Sequence, residues 1–195
     1  DVSGTYPRFA GQGEIEQLET GTYYADYTAW DTYRSLHPLM NLFDPQKSGD
    51  MMQSLILKAE QGGWMPIFPC WNHYTSAMIG DHTGAILGDA AVKGVPGFDL
   101  ARAWPYLRKN AFEAPADRQE YIDGKGRRAL SSYLEYGYIP LEDSVLDAFH
   151  QGEQVSRTLE YAYNDFVLAQ IAQQLEEKDD YQALIRRAAH KHRSC

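Results

Sequence analysis

The run from Glu153 to Glu177 most constrains what this chain can fold into. At about 100° per residue its apolar residues, Val167 and Ile171 among them, fall on one stripe, which predicts a single long helix. The same arithmetic sets Glu160 and Asn164 within about 40° of each other on that stripe. A carboxylate and an amide there lose water at a cost that only a partner can offset. Arg157, one turn earlier on the near edge, supplies one answer, an internal Arg157–Glu160 ion pair. An oxygen-rich cation site is the other, since Glu and Asn oxygens suit a hard cation such as calcium. Asp165 falls on the opposite side and is expected to face solvent.

Helical patterning continues through most of the chain. Leu55, Ile56, Leu57 and Ala59 belong to a helix that opens near Pro45 to Ser48 and closes at Gly62-Gly63. A second is predicted from Thr75, as its N-cap, to Lys93, with Gly94 ending it. A third follows Asp99 and runs to Phe112, where Pro105 should disturb it unless it lies in the first turn. Another spans Gly124 to Tyr136, and a last one Asp180 to Lys191. Residues 1–30, with Gly4, Pro7, Gly11, Gly13 and Gly21, read as mostly loop with a short helix near Glu14 to Leu18. The expectation is a single all-α domain of about six helices, with little strand. Its long loops, rich in aromatics and punctuated by Gly and Pro, differ from the short connections of a simple bundle and would carry a site at one end of the array.

Composition narrows the function. With 27 acidic against 18 basic residues the net charge is −9, which argues against a nucleic-acid or membrane-surface partner. No apolar run approaches the roughly 18 residues that span a bilayer. The opening residues Asp1-Val2-Ser3-Gly4 have neither the basic start nor the apolar stretch of a signal peptide. Two cysteines, Cys70 and Cys195, are too few for a disulfide framework. No Gly-x-Ser-x-Gly, phosphate loop or dinucleotide fingerprint occurs. His73 and His82 match no zinc spacing, and His190-Lys191-His192 reads as a solvated tail. Asp89, seven residues after His82 and on its face, either orients that histidine as a metal ligand or holds it as a core residue.

The segment Trp30-Asp31-Thr32-Tyr33-Arg34-Ser35-Leu36-His37-Pro38-Leu39 follows the aromatic stretch Tyr23-Tyr24-Ala25-Asp26-Tyr27. Flat rings beside fixed hydrogen-bonding groups suit a sugar, whose C–H faces they cover and whose hydroxyls they read. A core tryptophan beside a surface ion pair is the plainer reading.

Further blocks follow in order: Gly62-Gly63-Trp64-Met65-Pro66-Ile67, Met78-Ile79-Gly80-Asp81-His82, Asp89-Ala90-Ala91-Val92-Lys93-Gly94, Gly137-Tyr138-Ile139-Pro140, and Val155 through Asp165. Together with the Trp30 segment they resemble glycoside hydrolase family 92, the calcium-dependent exo-acting α-mannosidases, from about Tyr23 to about Ala189. The resemblance implies an (α/α)6 toroid, of which this chain would form about half. The remainder of the same protein, or another chain, would then cover the apolar inner faces.

The resemblance also implies an exported, calcium-dependent, inverting enzyme acting on a mannose-containing glycan. Trp30, Asp31 and Arg34 would hold the terminal mannose. Glu160 would bind calcium together with Asn164, which stands where the family more often has aspartate. The family's general acid, a glutamate four residues before the Met-Ile-Gly block, is here Tyr74, beside His73. Its general base belongs to a segment downstream of the Glu160 block that these residues do not include. A phosphate leaves without a proton, so loss of the acid suits a mannose phosphodiester substrate. The rival reading is a non-catalytic carbohydrate-binding or interaction protein derived from the same fold.

Overall fold

The computed structural model describes residues 4–146 and 148–189, so Cys195 and the histidines at 190 and 192 lie outside it. An antiparallel pair of short strands, β1 (Thr5–Pro7) and β2 (Ile15–Gln17), precedes nine helices among the described residues. These are α1 (Ala29–Thr32), α2 (Leu36–Phe43), α3 (Pro45–Gly62), α4 (Thr83–Val92), α5 (Leu100–Phe112), α6 (Arg118–Asp123), α7 (Leu130–Tyr136), α8 (Gln154–Gln174) and α9 (Lys178–Ala189).

α3 starts where sequence chemistry places it. Asp44 accepts a hydrogen bond from the Lys47 amide, Pro45 occupies the first helical position, and Gly63 closes the helix at φ 81°. Asp99 caps α5 in the same manner through the Ala101 amide. Pro105 lies inside α5, beyond its first turn, without ending it. The proline removes the hydrogen bond to the Ala101 carbonyl, and Ala101 sits on the exposed face, where solvent can take that carbonyl.

Three boundaries differ from the sequence reading. The expected short helix at Glu14 to Leu18 is β2, paired with β1 through Pro7 and Ile15. The helix expected from Thr75 begins only at Thr83. Thr75 instead donates its hydroxyl to the Phe68 carbonyl, and Gly80 adopts φ 83°, which breaks any helix before it. The helix expected over Gly124 to Tyr136 is split. α6 ends on the left-handed Gly124, and α7 starts only after Ala129, itself left-handed at φ 54°.

α4 is the centre of the molecule, touching α2, α3, α5 and α8. All residues from Thr83 to Gly88 are buried. Its two glycines, one helical turn apart, admit α8 closely. A Cβ at Gly84 would stand 2.9 Å from Leu168, and one at Gly88 3.3 Å from Ile171. The core so formed joins Met52, Leu55 and Ile56 of α3, Ile86 and Leu87 of α4, Leu107 of α5 and Leu168 of α8.

α8 buries Leu168 and Ile171 in this core, but its first half departs from the usual pattern. Its buried face carries Arg157, Asn164 and Asp165, whereas Val155, Leu159, Tyr163 and Phe166 form an exposed apolar stripe. Asp165, expected at the solvent, is fully buried, because α9 packs along that side of α8.

Lys58, on the buried face of α3, is also fully buried. Its ammonium lies over Tyr23 at 3.9 Å and donates to the Tyr24 carbonyl, which ties the N-terminal segment to α3. Burial pulls this amine down to about 7, with Asp26 opposing the shift. The folded state thus holds Lys58 less readily protonated than the unfolded chain, so stability should rise with pH between about 7 and 10.4. Urea titrations should show a slope of about 1.4 kcal/mol per pH unit near pH 8 to 9 that Lys58→Met removes. Equal slopes in the two proteins would refute the burial argument.

A Cβ on Gly49 would overlap the carbonyl oxygen of Pro96, whereas one on Gly63 would meet open space. Gly49→Ala should therefore destabilise by about 1–3 kcal/mol through backbone displacement. Gly63→Ala should cost about 1–2 kcal/mol from its left-handed backbone alone. Chemical denaturation checks the order, which fails if Gly49→Ala is neutral.

Candidate functional site

The site grows from the junction of α1, the start of α4 and the middle of α8. Arg34, just beyond α1, spreads its guanidinium over two rings, 5.0 Å from the centre of Trp30 and 4.7 Å from that of Tyr33. Its Nη2 reaches Glu160 Oε1 at 3.4 Å, closing 126 residues of sequence into one group. Asp31 is exposed on α1. Tyr33 stacks on His82 with ring centres 4.1 Å apart and planes 5° from parallel, and Tyr163 tilts against both rings.

Hydrogen bonding sets the state of His82. The Asp81 backbone N–H donates to Asn164 Oδ1 at 2.8 Å, which fixes the direction of the Asn164 amide. Asn164 Nδ2 then faces His82 Nδ1 at 3.1 Å and donates to it. The histidine proton is left on Nε2, which lies 3.0 Å from Glu160 Oε2, its N–H directed off that oxygen. Burial raises the Glu160 carboxyl, but His82 and Arg34 outweigh it and hold the group below the usual range. Glu160 keeps 18% of its side chain exposed, so a charged carboxylate faces outward on a shelf of rings.

Behind this group lies a dry ionic network. Arg127, without exposed side-chain surface, donates to Asp81 Oδ2 at 2.9 Å and to Asp165 Oδ1 at 2.6 Å. Asp165 also receives Arg187 of α9 at 2.8 and 2.9 Å and the Tyr133 hydroxyl of α7 at 3.0 Å. Asn110 donates to Asp81 Oδ1 at 3.3 Å.

The structure brings Trp30, Arg34 and Glu160 together, with Asn164 immediately behind. The Arg157–Glu160 pair does not form. Side chains on a helix lean toward its N-terminus, and Arg157 reaches back to the His150 carbonyl at 2.6 Å. The His82–Asp89 bond does not form either, as Asp89 accepts from Asn41 and Lys93, both at 2.7 Å. Tyr33 and Arg127 are the partners that sequence reasoning missed. Tyr33 lies within the Trp30 to Leu39 segment, whereas nothing near Arg127 in the sequence marks its two distant carboxylates.

Tyr74 and His73 belong to another group. Tyr74 is 4% exposed, donates to the Trp64 carbonyl at 2.7 Å and accepts from the Trp64 amide at 3.2 Å. Burial pushes its hydroxyl well up, against the hydrogen bond from Trp64. Phe9 packs edge-on at 4.8 Å. His73 is exposed, at the end of a tight turn whose backbone pairs Cys70 with His73. Cys70 is a half-buried free thiol that burial pushes up. Among the described residues no three His, Cys, Asp or Glu side chains converge as a metal site, and no helix is long and apolar enough to cross a membrane.

Comparison with known proteins gives this geometry a context. The chain is 26% identical over 150 residues to an uncharacterized secreted glycosidase of Arthroderma benhamiae, covering 76% of this chain and 19% of that protein. A family 92 α-mannosidase of Bacteroides thetaiotaomicron, solved with mannoimidazole, superposes with a TM-score of 0.80 at 33% identity, over 96% of this chain and 22% of its own. An inverting family 92 mannosidase of the same species superposes at 0.77 with 29% identity, over 91% of this chain and 22% of its own. The chain thus spans about a fifth of the length of these relatives. The helical fold is that of the family's helical domain, in keeping with part of an (α/α)6 toroid. The profile of the glycosyl hydrolase family 92 catalytic domain matches residues 1–192, and the chain belongs to that family.

Proposed function

We propose that the protein hydrolyses terminal α-mannosyl residues of glycans with inversion, and that these residues supply the wall that holds the sugar. The observation that carries this reading is the meeting of Arg34 and Glu160 beside the rings of Trp30 and Tyr33. A guanidinium donates to hydroxyls, a charged carboxylate accepts from them, and rings cover the C–H faces. Trp30, Asp31, Arg34 and Glu160 are the proposed contacts to mannose. Further protein, from the same chain or another, covers the apolar stripe of α8 and brings the catalytic base. Export is proposed from the secreted relative.

The described residues do not make a calcium site on their own. Glu160 already carries Arg34 and His82, and Asn164 Oδ1 accepts from Asp81, whereas calcium wants six to eight oxygens. We propose Glu160 as one ligand, with others drawn from beyond these residues. The ion would supply charge that grips neighbouring sugar hydroxyls. The Asn164 amide is committed to Asp81 and His82, so it serves the cation best by holding the group behind Glu160.

At the family's acid position the Tyr74 hydroxyl, buried against Trp64 and resisting ionisation, makes a poor proton donor. A leaving group that departs as an anion fits this, so mannose 1-phosphodiesters are the proposed substrates. The same closure of Tyr74 favours the second reading, a carbohydrate-binding protein without turnover.

Two measurements test the proposal on the intact protein. Mannose 1-phosphodiesters should be cleaved about 10²- to 10⁴-fold faster than an α-1,2-linked mannobiose, the usual contribution of a general acid. Equal rates would point to another donor, His73 first, and no turnover of either would favour the binding protein. Calcium titration by calorimetry should lose affinity in Glu160→Gln, and undiminished affinity would move the ion elsewhere.

A further inference from the structure

Among the described residues, two arginines in the interior have no carboxylate partner. Arg128 is 5% exposed and Arg157 1%. Three guanidinium nitrogens of Arg128 and two of Arg157 are buried without a hydrogen-bond partner. The remaining nitrogen of Arg157, Nη2, donates to the His150 carbonyl at 2.6 Å. Arg127, one residue away and also buried, differs in holding two aspartates, with only its Nη2 unpartnered. Arg128 stacks its Cζ 4.0 Å over the Tyr121 ring, which attracts a cation, and the Tyr121 side chain favours its charged form.

The two charges share one neighbourhood. Burial lowers Arg128, and the nearby Arg157 adds to that effect. Both act on the hydroxyls of Tyr121 and Tyr161. A guanidinium does not shed its proton, so neutralisation is closed to them and pairing is the remaining route. Among the described residues no carboxylate pairs with either. The segment between α7 and α8 meets Arg157 at the His150 carbonyl; within it Val145 and Ala148 are buried and no regular structure forms among the described residues.

We propose that Arg128 and Arg157 together bind an oxyanion of the phosphate class beside the segment that joins α7 to α8. A carboxylate satisfies one guanidinium fork, whereas a tetrahedral oxyanion offers enough oxygens for two. The five unpaired nitrogens on two side chains match the latter. This site goes beyond the proposed hydrolysis. Arg157 turns away from Glu160 to meet His150, and binding is read without any mannoside turnover.

The test uses the intact protein in a chloride-free zwitterionic buffer, with inorganic phosphate as probe. Phosphate should raise the thermal midpoint saturably and fit one site by calorimetry. Arg128→Met and Arg157→Met should each weaken that binding at least tenfold. Both should fold, because each replacement removes a buried charge that costs desolvation without a carboxylate to offset it, and Met keeps an unbranched side chain. Should either fail to fold, Arg128→Lys and Arg157→Lys keep the charge and remove the fork, and should weaken phosphate comparably. Mannose 1-phosphate competing with phosphate assigns the anion to a sugar phosphate, and absence of competition assigns it to free phosphate; either supports the site. No saturable response in the unmodified protein, an equal response to chloride at matched ionic strength, or full affinity in the folded variants overturns it.

Discussion

Arg127 holds the site together from behind. It lies where no water reaches, between Asp81 at the entrance to α4 and Asp165 in the middle of α8, and Asp165 in turn holds Arg187 of α9 and Tyr133 of α7. Four helical segments thus meet on one buried charge cluster. Breaking such a cluster by removing one member typically costs about 3–5 kcal/mol, because the others remain buried and unpaired. The cluster also fixes position. Asp81 is held by Arg127 through its side chain and presents its amide to Asn164, and from Asn164 the order passes to His82 and Glu160.

The ring shelf and the charge cluster divide the work. Trp30, Tyr33 and Arg34 form a surface that presents flat faces and donors, and their shape follows from α1 and the turn after it. Glu160 comes from a helix more than a hundred residues later and needs the packing of α4 against α8 to arrive. The glycines at 84 and 88 allow that approach, so two residues without side chains decide where a carboxylate stands.

Much of this was legible in the sequence, and the failures have physical causes. The limits of α3 and α5 follow from Asp44, Gly63 and Asp99, whose capping is local chemistry. The delayed start of α4 was not legible, because the Asp81 amide is claimed by Asn164, 83 residues away. Asp165 was misplaced for a related reason, whereas Arg157 is buried as expected but bonds the His150 carbonyl and not Glu160. Helix periodicity assigns Asp165 to solvent, yet α8 buries it in an ionic network and exposes Val155, Leu159 and Phe166 instead. The grouping of Trp30, Arg34 and Glu160 had no local signature joining its halves and came from block order alone. Tyr74 could be located in the chain, but its burial against Trp64 could not.

The amide of Asn164 gives the site a handedness of polarity. It receives a proton donor on one side and delivers one on the other, so the sequence from Asp81 to His82 runs in a single direction. A leucine of similar size would erase that direction, and the imidazole could then carry its proton on either nitrogen. In one of those two forms a lone pair would confront the Glu160 carboxylate, and the pair would repel instead of attract. The orientation of a side chain with 1% of its surface exposed thereby governs whether an outward-facing carboxylate meets a donor or an acceptor.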